Sequence, residues 1–265
     1  MRNFIYVFSF CAVLLSSCVE YHPYDTHIAG QTNVNAKNIA LIEEQCMGKR
    51  EVKFAVVSDS QRWYDELEDA VESINERDDI DFVLHTGDLT DWGLRSEFEI
   101  QRDILNSLNV PYVCLLGNHD CLGTGYEIFR EVFGECNVAF SAGNVRFVCL
   151  NTNSLEFDAN DAVPNFGFIR AEYSNLPAQS EKTVVAMHSY PYSDQFNNDV
   201  APMFQEYLRK FPNLQFCVHG HGHRYRREDI FGDGVYYYEC PNVGSDAYLV
   251  FTINDVGYEY KKVDL

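Results

Sequence analysis

Short runs of β-branched and aromatic residues alternate with longer amphipathic segments in the first half of the chain. Strands are predicted at 53–58, 81–86 and 111–116, with helices at 64–77 and 96–108 between them. Strands that alternate with helices in this way are typical of βαβ units, in which the strands are parallel and the helices cover the sheet. The pattern therefore predicts an α/β fold.

The second half of the chain has a different pattern. Further strands are predicted at 181–187 and 214–218, and turn sequences rich in Gly, Asn and Asp flank four more runs at 138–141, 145–150, 235–239 and 247–253. Such turns indicate β-hairpins. We therefore expect a second, more antiparallel sheet that packs face to face on the first, with helices outside and residues 51–265 forming one domain.

Polar residues stand where the predicted strands end. Asp59, Asp88 and Asn118 follow the first three strands and are 29 and 30 residues apart. Because βαβ units repeat at roughly 30 residues, we expect these oxygen donors at the carboxyl edge of one sheet, where open α/β sheets bind ligands.

Histidines follow two of the later strands. His188 ends the strand at 181–187, and His221 and His223 lie just beyond the strand at 214–218. A strand-end Asp alone is often a helix cap and a lone His is often structural. Together, however, carboxylates, an amide and imidazoles are the ligand mixture that holds a pair of divalent ions. His85 and His219 lie near these motifs, but strand alternation is expected to turn them away from the site.

The motifs carry a resemblance to a known family. Gly-Asp at 87–88, Gly-Asn-His-Asp at 117–120 and Gly-His-Gly-His at 220–223 resemble the calcineurin-like metallophosphoesterases, over nearly all of residues 53–253. The resemblance implies a four-layer αββα sandwich of two mixed sheets with helices outside. It also implies hydrolysis of a phosphodiester, diphosphate or phosphomonoester by hydroxide activated between two divalent ions.

The resemblance further implies the ligands of two metal sites. The first site is held by Asp59, Gln61, Asp88 and His223, and the second by Asp88, Asn118, His188 and His221. Asp88 is therefore the carboxylate shared by both ions. His119 is implied as the residue that contacts the phosphate or protonates the leaving group, and Asp91 as the carboxylate that orients His119.

Gln61 departs from the family pattern, which reads Asp-x-His in this motif. An amide oxygen is a harder and weaker donor than an imidazole nitrogen, so we expect the first site to favour Mn²⁺ or Mg²⁺ over Zn²⁺. Mn²⁺ is the favoured cofactor, with Fe, Zn or Mg as alternatives. Manganese-dependent ADP-ribose and CDP-alcohol diphosphatases look similar in carrying Gln here, so the change is compatible with catalysis.

The overall charge narrows the range of partners. The formal net charge is -20, and binding of nucleic acid along its backbone requires many Lys and Arg contacts to phosphate. Nucleic acid is therefore not expected as a broad partner. A small phosphorylated substrate remains compatible, because bound cations reverse the local field.

The amino end predicts export. Residues 1–17 combine Arg2 with an apolar stretch too short to span a bilayer, which is typical of a signal peptide. The small residues before Cys18 resemble a bacterial lipobox, which implies a lipid on Cys18 and attachment to a membrane of the cell envelope. Residues 18–50 are predicted as a tether and covering segment, with a short helix at 36–45. An ordinary secretory signal with an incidental Cys is the alternative.

Two other interpretations remain open at this stage. A catalytically weak lipoprotein that binds metal and serves a binding role is one, and Gln61 is the feature that favours it. A cytosolic protein phosphatase fits the site but conflicts with the signal sequence. The oligomeric state is left open, and seven cysteines beyond Cys18 cannot all pair with one another in a monomer.

Overall fold

The computed structural model describes residue 22 and residues 25–157 and 161–265. The predicted signal peptide at 1–17 and the predicted lipid site at Cys18 lie outside these residues. Within them, the strands form a five-stranded sheet in the order β11-β10-β1-β2-β3 and a six-stranded sheet in the order β4-β5-β6-β7-β9-β8. Both sheets mix parallel and antiparallel pairs.

Nine of the eleven strands in the described residues lie at predicted runs, whereas β8 and β11 were not predicted. The strands are β1 Val52–Val57, β2 Phe82–His85, β3 Tyr112–Cys114, β4 Val138–Ala142, β5 Val145–Leu150, β6 Lys182–Met187, β7 Leu214–His219, β8 Arg226–Glu228, β9 Tyr237–Glu239, β10 Ala247–Asn254 and β11 Gly257–Asp264. The α-helices are α1 Val34–Gln45, α2 Tyr64–Asn75, α3 Arg95–Leu105, α4 Gly125–Val132, α5 Phe166–Ser174 and α6 Ala201–Leu208. The last three helices were not among the predicted elements.

Strand alternation divides the core into three apolar layers. In β1, Ala55 and Val57 pack against α2, α3 and α4, while Phe54 and Val56 face the second sheet. A third layer lies between the second sheet and helices α5 and α6. Aromatic rings fill the space between the sheets, with the Phe54 centroid 5.0 Å from that of Phe147. The predicted four-layer αββα sandwich is thereby confirmed.

Two expectations about the sheets were wrong: the direction of the strands in the second sheet, and the sheet that the last two strands join. Strands β5, β6, β7 and β9 run parallel to one another, so the second sheet is not mainly antiparallel. Strands β10 and β11 complete the first sheet, because β10 pairs antiparallel with β1. A turn sequence shows that two strands are neighbours, but it does not show which sheet they join.

Helix α1 covers the open edge of the first sheet. The Asn35 side chain donates to the carbonyl of Cys114 at 2.8 Å and accepts from its amide at 2.9 Å. This pairing satisfies main-chain groups of edge strand β3 that would otherwise be available to another strand. The expected covering helix is thus present, two residues longer at its start than predicted.

No helix within the described part of the chain is long and apolar enough to cross a membrane. The cysteines from Cys46 onward are free thiols, and five of them are buried: Cys46, Cys114, Cys149, Cys217 and Cys240.

Candidate metal centre

The predicted ligands meet where the carboxyl ends of the two sheets adjoin. Asp59, Asp88 and Asn118 follow β1, β2 and β3, which are adjacent in the first sheet with parallel pairing. His188 follows β6, while His221 and His223 follow β7 in the second sheet. The first sheet therefore supplies oxygen donors and the second supplies imidazoles.

Two groups of donor atoms have the proximity that a metal ion requires. Asp59, Asp88 and His223 form one group, and Asp88, His188 and His221 form the other, each with ligand atoms within 4.8 Å of one another. Asp88 belongs to both groups, as expected for a carboxylate shared by two ions. We refer to them as the first and second metal groups.

Asn118 adds a donor to the second metal group. Its Oδ1 lies 3.0 Å from Nε2 of His188 and 3.0 Å from Nδ1 of His221. The other ring nitrogens are occupied, since Nδ1 of His188 donates to the carbonyl of Thr86 at 2.9 Å and Nε2 of His221 lies 2.6 Å from Oδ1 of Asp194. These outer contacts orient each imidazole so that its remaining nitrogen faces Asn118 and the second metal group, as metal ligation requires.

Burial makes the charges of this centre strongly interdependent. Burial alone would lower the pKa of His188, but Asp88 and Asp59 raise it to about 9. Burial alone would raise the pKa of Asp59, but His223 and His188 lower it below its ordinary value. Two carboxylates that are almost fully buried need nearby positive charge. This donor set of oxygens and imidazole nitrogens therefore fits a pair of divalent cations.

The main chain of the centre is strained. Five of the predicted ligands have positive φ: Asp59 at 51°, Gln61 at 35°, Asp88 at 55°, His221 at 73° and His223 at 62°. Residues other than glycine rarely adopt this conformation, and such strain concentrates at functional sites. The neighbouring glycines allow the close approach of these loops, since a Cβ on Gly117 would overlap the main chain of Asp88.

Gln61 lies beside Asp88 through main-chain contacts. Its amide donates to the carbonyl of Asp88 at 3.2 Å, and its own carbonyl accepts from Nε2 of Gln101 at 2.6 Å. The residue is 6% exposed. Its main chain is therefore fixed next to the shared carboxylate, and its role as a metal ligand stays a prediction.

A buried relay of hydrogen bonds holds this segment. Nδ1 of His85 accepts from the amide of Gly87 at 3.2 Å, so its Nε2 donates to the hydroxyl of Ser60 at 2.8 Å. Ser60 in turn donates to Oε1 of Gln101 at 2.8 Å. Burial lowers the pKa of His85 to about 4. His85 is therefore a neutral link in this relay, and its exclusion from the metal ligands stays a prediction.

Replacing Gln101 by Met should weaken the first metal group. Methionine fills the volume of Gln101, but its thioether cannot donate to the carbonyl of Gln61 and is a poor acceptor for Ser60. The strained main chain at Gln61 would then be held only by the hydrogen bond from its amide to Asp88. Because residues that orient metal ligands affect affinity 10- to 100-fold, we expect the weaker of two Mn²⁺ affinities to fall about tenfold in a calorimetric titration.

Gln205→Met is the matched control, because Gln205 is also a buried helical glutamine with two side-chain partners, Tyr237 and Asp233. It should leave both Mn²⁺ affinities unchanged. Equal losses in the two variants would show that the relay serves stability alone.

The structure corrects the expected contact between Asp91 and His119. Nδ1 of His119 lies 2.9 Å from the main-chain carbonyl of Asp91, whereas the Asp91 carboxylate contacts Arg62 at 2.7 Å. The carbonyl still fixes the ring, because it accepts from Nδ1 and leaves Nε2 free. The resemblance to the family placed the two residues together, but it could not distinguish the side-chain oxygen of Asp91 from its main-chain oxygen.

Asp120 was not among the predicted site residues, although it lies in the Gly-Asn-His-Asp motif. Its carboxylate is fully buried and accepts from the amides of Gly117 and Thr90, each at 2.9 Å. Burial, with the charge of Asp88, raises the pKa of Asp120 to about 7. Asp120 therefore ties the loop that carries Asp88 to the loop that carries Asn118.

The chain belongs to the calcineurin-like phosphoesterase family, because the family model matches residues 52–225. A 3′,5′-cyclic-nucleotide phosphodiesterase of Nostoc sp. is 28% identical over 167 residues, which cover 57% of this chain and 59% of that protein. A probable cyclic nucleotide phosphodiesterase of Rhodopseudomonas palustris is 36% identical over 137 residues, or 44% of this chain and 47% of that protein. The chain thus matches about half the length of these relatives.

Solved structures support the fold. A dimetal phosphatase from Danio rerio aligns with a TM-score of 0.59 and 14% identity, covering 80% of this chain and 98% of that one. Membership of the family implies binding of two divalent metal ions, which agrees with the two metal groups described above.

Proposed function

We propose that this protein is a metal-dependent phosphodiesterase whose substrates are small phosphate diesters, with cyclic nucleotides as the leading candidates. The observation that carries the proposal is the placement of Asp88 in both metal groups. The names of the two relatives support the diester class, and diphosphates and phosphomonoesters are the alternatives to be compared with it. The ions would supply Lewis acidity and lower the pKa of water.

The residues beside the metal groups would position the shared carboxylate, transfer a proton and supply a positive charge. Asp88 is positioned by the amide of His119, which donates to its Oδ1 at 2.9 Å. The imidazole of His119 is fixed through Nδ1, so its Nε2 would donate a proton to the departing alkoxide when the ring is protonated. Arg62, which is bound to Asp91, is a cation beside this centre.

We further propose Mn²⁺ as the native metal, because an oxygen donor at Gln61 favours harder ions than imidazole does. Gln61→His should raise the affinity of the first metal group for Zn²⁺ by about tenfold relative to Mn²⁺. Competitive titration of the metal-free protein with the two ions measures this ratio. An unchanged ratio in Gln61→His would refute the assignment of Gln61 as a ligand that sets metal preference.

Export and lipid attachment at Cys18, with location in the bacterial cell envelope, remain part of this proposal on the strength of residues 1–17. Mass spectrometry of the protein from membranes tests it. A lipid-modified Cys18 at the amino end is the expected result, and an unmodified residue there would contradict attachment.

The substrate class is tested with a panel of phosphomonoesters, diesters and diphosphates assayed with Mn²⁺. Hydrolysis of 3′,5′-cyclic nucleotides with kcat/KM at least tenfold above that for monoesters is the expected result. A metal-binding lipoprotein with a binding role is the second candidate, which Gln61 favours. Tight binding of Mn²⁺ without turnover of any ester would support it instead.

A further inference from the structure

A cavity of about 480 Å³ opens between the loop at 189–194 and the segment at 226–230. Four of the residues that line it are Tyr190, Tyr192, Arg226 and Glu228, and we call it the tyrosine pocket. It contains no predicted metal ligand.

Both walls of the tyrosine pocket are continuations of the metal loops. One wall begins immediately after His188 and returns to the second metal group at Asp194, whose Oδ1 lies 2.6 Å from Nε2 of His221. The other wall begins at Arg226, three residues after His223. One wall of the pocket therefore continues from the second metal group and the other from the first.

Tyr190 is held rigidly in one wall of the pocket, where Arg226 lies over its ring at 5.3 Å from the centroid. Its ring stacks on the buried ring of His219, with centroids 4.3 Å apart and an interplanar angle of 29°. Its hydroxyl accepts from Nη2 of Arg226 at 2.8 Å.

Tyr192 is an exposed aromatic ring on a strained main chain. The residue is 55% exposed and has a φ of 72°, an outlier for a bulky side chain. Its amide donates to Asn198 at 2.8 Å, and its ring lies 5.6 Å from the ring of Phe231. The conformation belongs to a β-turn in which Pro191 precedes Tyr192 and the amide of Ser193 donates to the carbonyl of Tyr190 at 3.0 Å. This turn holds the Tyr192 ring out at the mouth of the pocket.

The charges of the pocket argue against a phosphate within it. Arg226 lies 3.2 Å from a carboxylate oxygen of Glu239 and 3.2 Å from one of Glu228. Its positive charge is therefore offset by two carboxylates. The pocket suits a neutral, planar group that stacks on tyrosine and presents N–H donors to Glu228.

We propose that the tyrosine pocket binds the heteroaromatic base of a nucleotide diester whose phosphate lies at the metal centre. The proposal rests on the proposed phosphodiesterase function and adds the site of the organic substituent. Stacking on aromatic side chains accepts any base, because every base has a π-face. Glu228 would favour bases that carry amino groups.

The test compares 3′,5′-cyclic AMP with the same cyclic ribose phosphate lacking the base, on the full chain loaded with Mn²⁺. Tyr192→Ala should raise KM for cyclic AMP about tenfold and leave KM for the abasic diester unchanged, while Tyr192→Phe should behave as the natural protein. Equal effects of Tyr192→Ala on the two diesters would overturn the proposal.

Trp92→Ala is the matched control, because Trp92 is 65% exposed and follows Asp91, next to His119 instead of the tyrosine pocket. It should leave both KM values unchanged. Selective loss of cyclic AMP recognition in this variant, with none in Tyr192→Ala, would place the base beside His119 and refute the proposal.

Calorimetry separates failure of the pocket from failure of the proposed function. Tyr192→Ala should bind AMP about tenfold more weakly than the natural protein does and should bind inorganic phosphate equally well. If no ester is hydrolysed, the proposed phosphodiesterase function fails, but the AMP measurement still decides the pocket. Unchanged AMP affinity in Tyr192→Ala would contradict binding of the base in the tyrosine pocket.

Discussion

Asp88→Asn should lower kcat/KM for phosphate diesters by more than about 100-fold. Asp88 is the carboxylate common to both metal groups, and its replacement by a neutral amide weakens both at once. Mutating a residue that only orients a metal ligand typically costs 10- to 100-fold, so loss of a shared ligand should exceed that range. Steady-state kinetics at saturating Mn²⁺, with metal content measured in parallel, test this expectation.

Asp81→Asn is the matched control for this experiment. Asp81 precedes β2, whereas Asp88 follows it, and its carboxylate accepts from the amide of Lys53 at 2.9 Å. The change removes a carboxylate at the opposite end of the same strand and should leave kcat/KM within about twofold. Full activity in Asp88→Asn would contradict the two-ion centre.

His119→Gln should lower kcat about 100-fold for diesters with alkyl leaving groups. The ring is held by the Asp91 carbonyl with Nε2 free, as a general acid requires, and such catalysis typically contributes 10²- to 10⁴-fold. An ester of p-nitrophenol should lose less than about tenfold, because p-nitrophenolate leaves without a proton. The test compares the loss of kcat in His119→Gln for the alkyl diester with the loss for the p-nitrophenyl ester.

His27→Gln serves as the control, because His27 is an exposed histidine outside the centre. It should change neither rate. Equal losses for alkyl and p-nitrophenyl esters in His119→Gln would instead assign His119 to phosphate binding, and no loss for either ester would remove it from the mechanism.

The regular spacing of strand-end polar residues was sufficient to predict one half of the centre. Asp59, Asp88 and Asn118 could be placed together because parallel strands in adjacent βαβ units bring their carboxyl ends to one edge.

Other features depend on long-range packing and have no local signal. Asp194 lies in a loop without regular structure, and only the fold brings it to His221. The left-handed conformation of His221 and His223 is imposed by close packing of the loops, and histidine gives no hint of it. The position of β10 in the first sheet likewise depends on pairing with β1, nearly 200 residues earlier.

Titration of the metal-free protein with Mn²⁺, while hydrolysis of a phosphate diester is followed, tests the two-ion phosphodiesterase most directly. Two ions should bind per chain, and activity should appear as the second ion binds. Binding of a single ion at saturation, or two bound ions with no hydrolysis of any diester, would contradict the assignment.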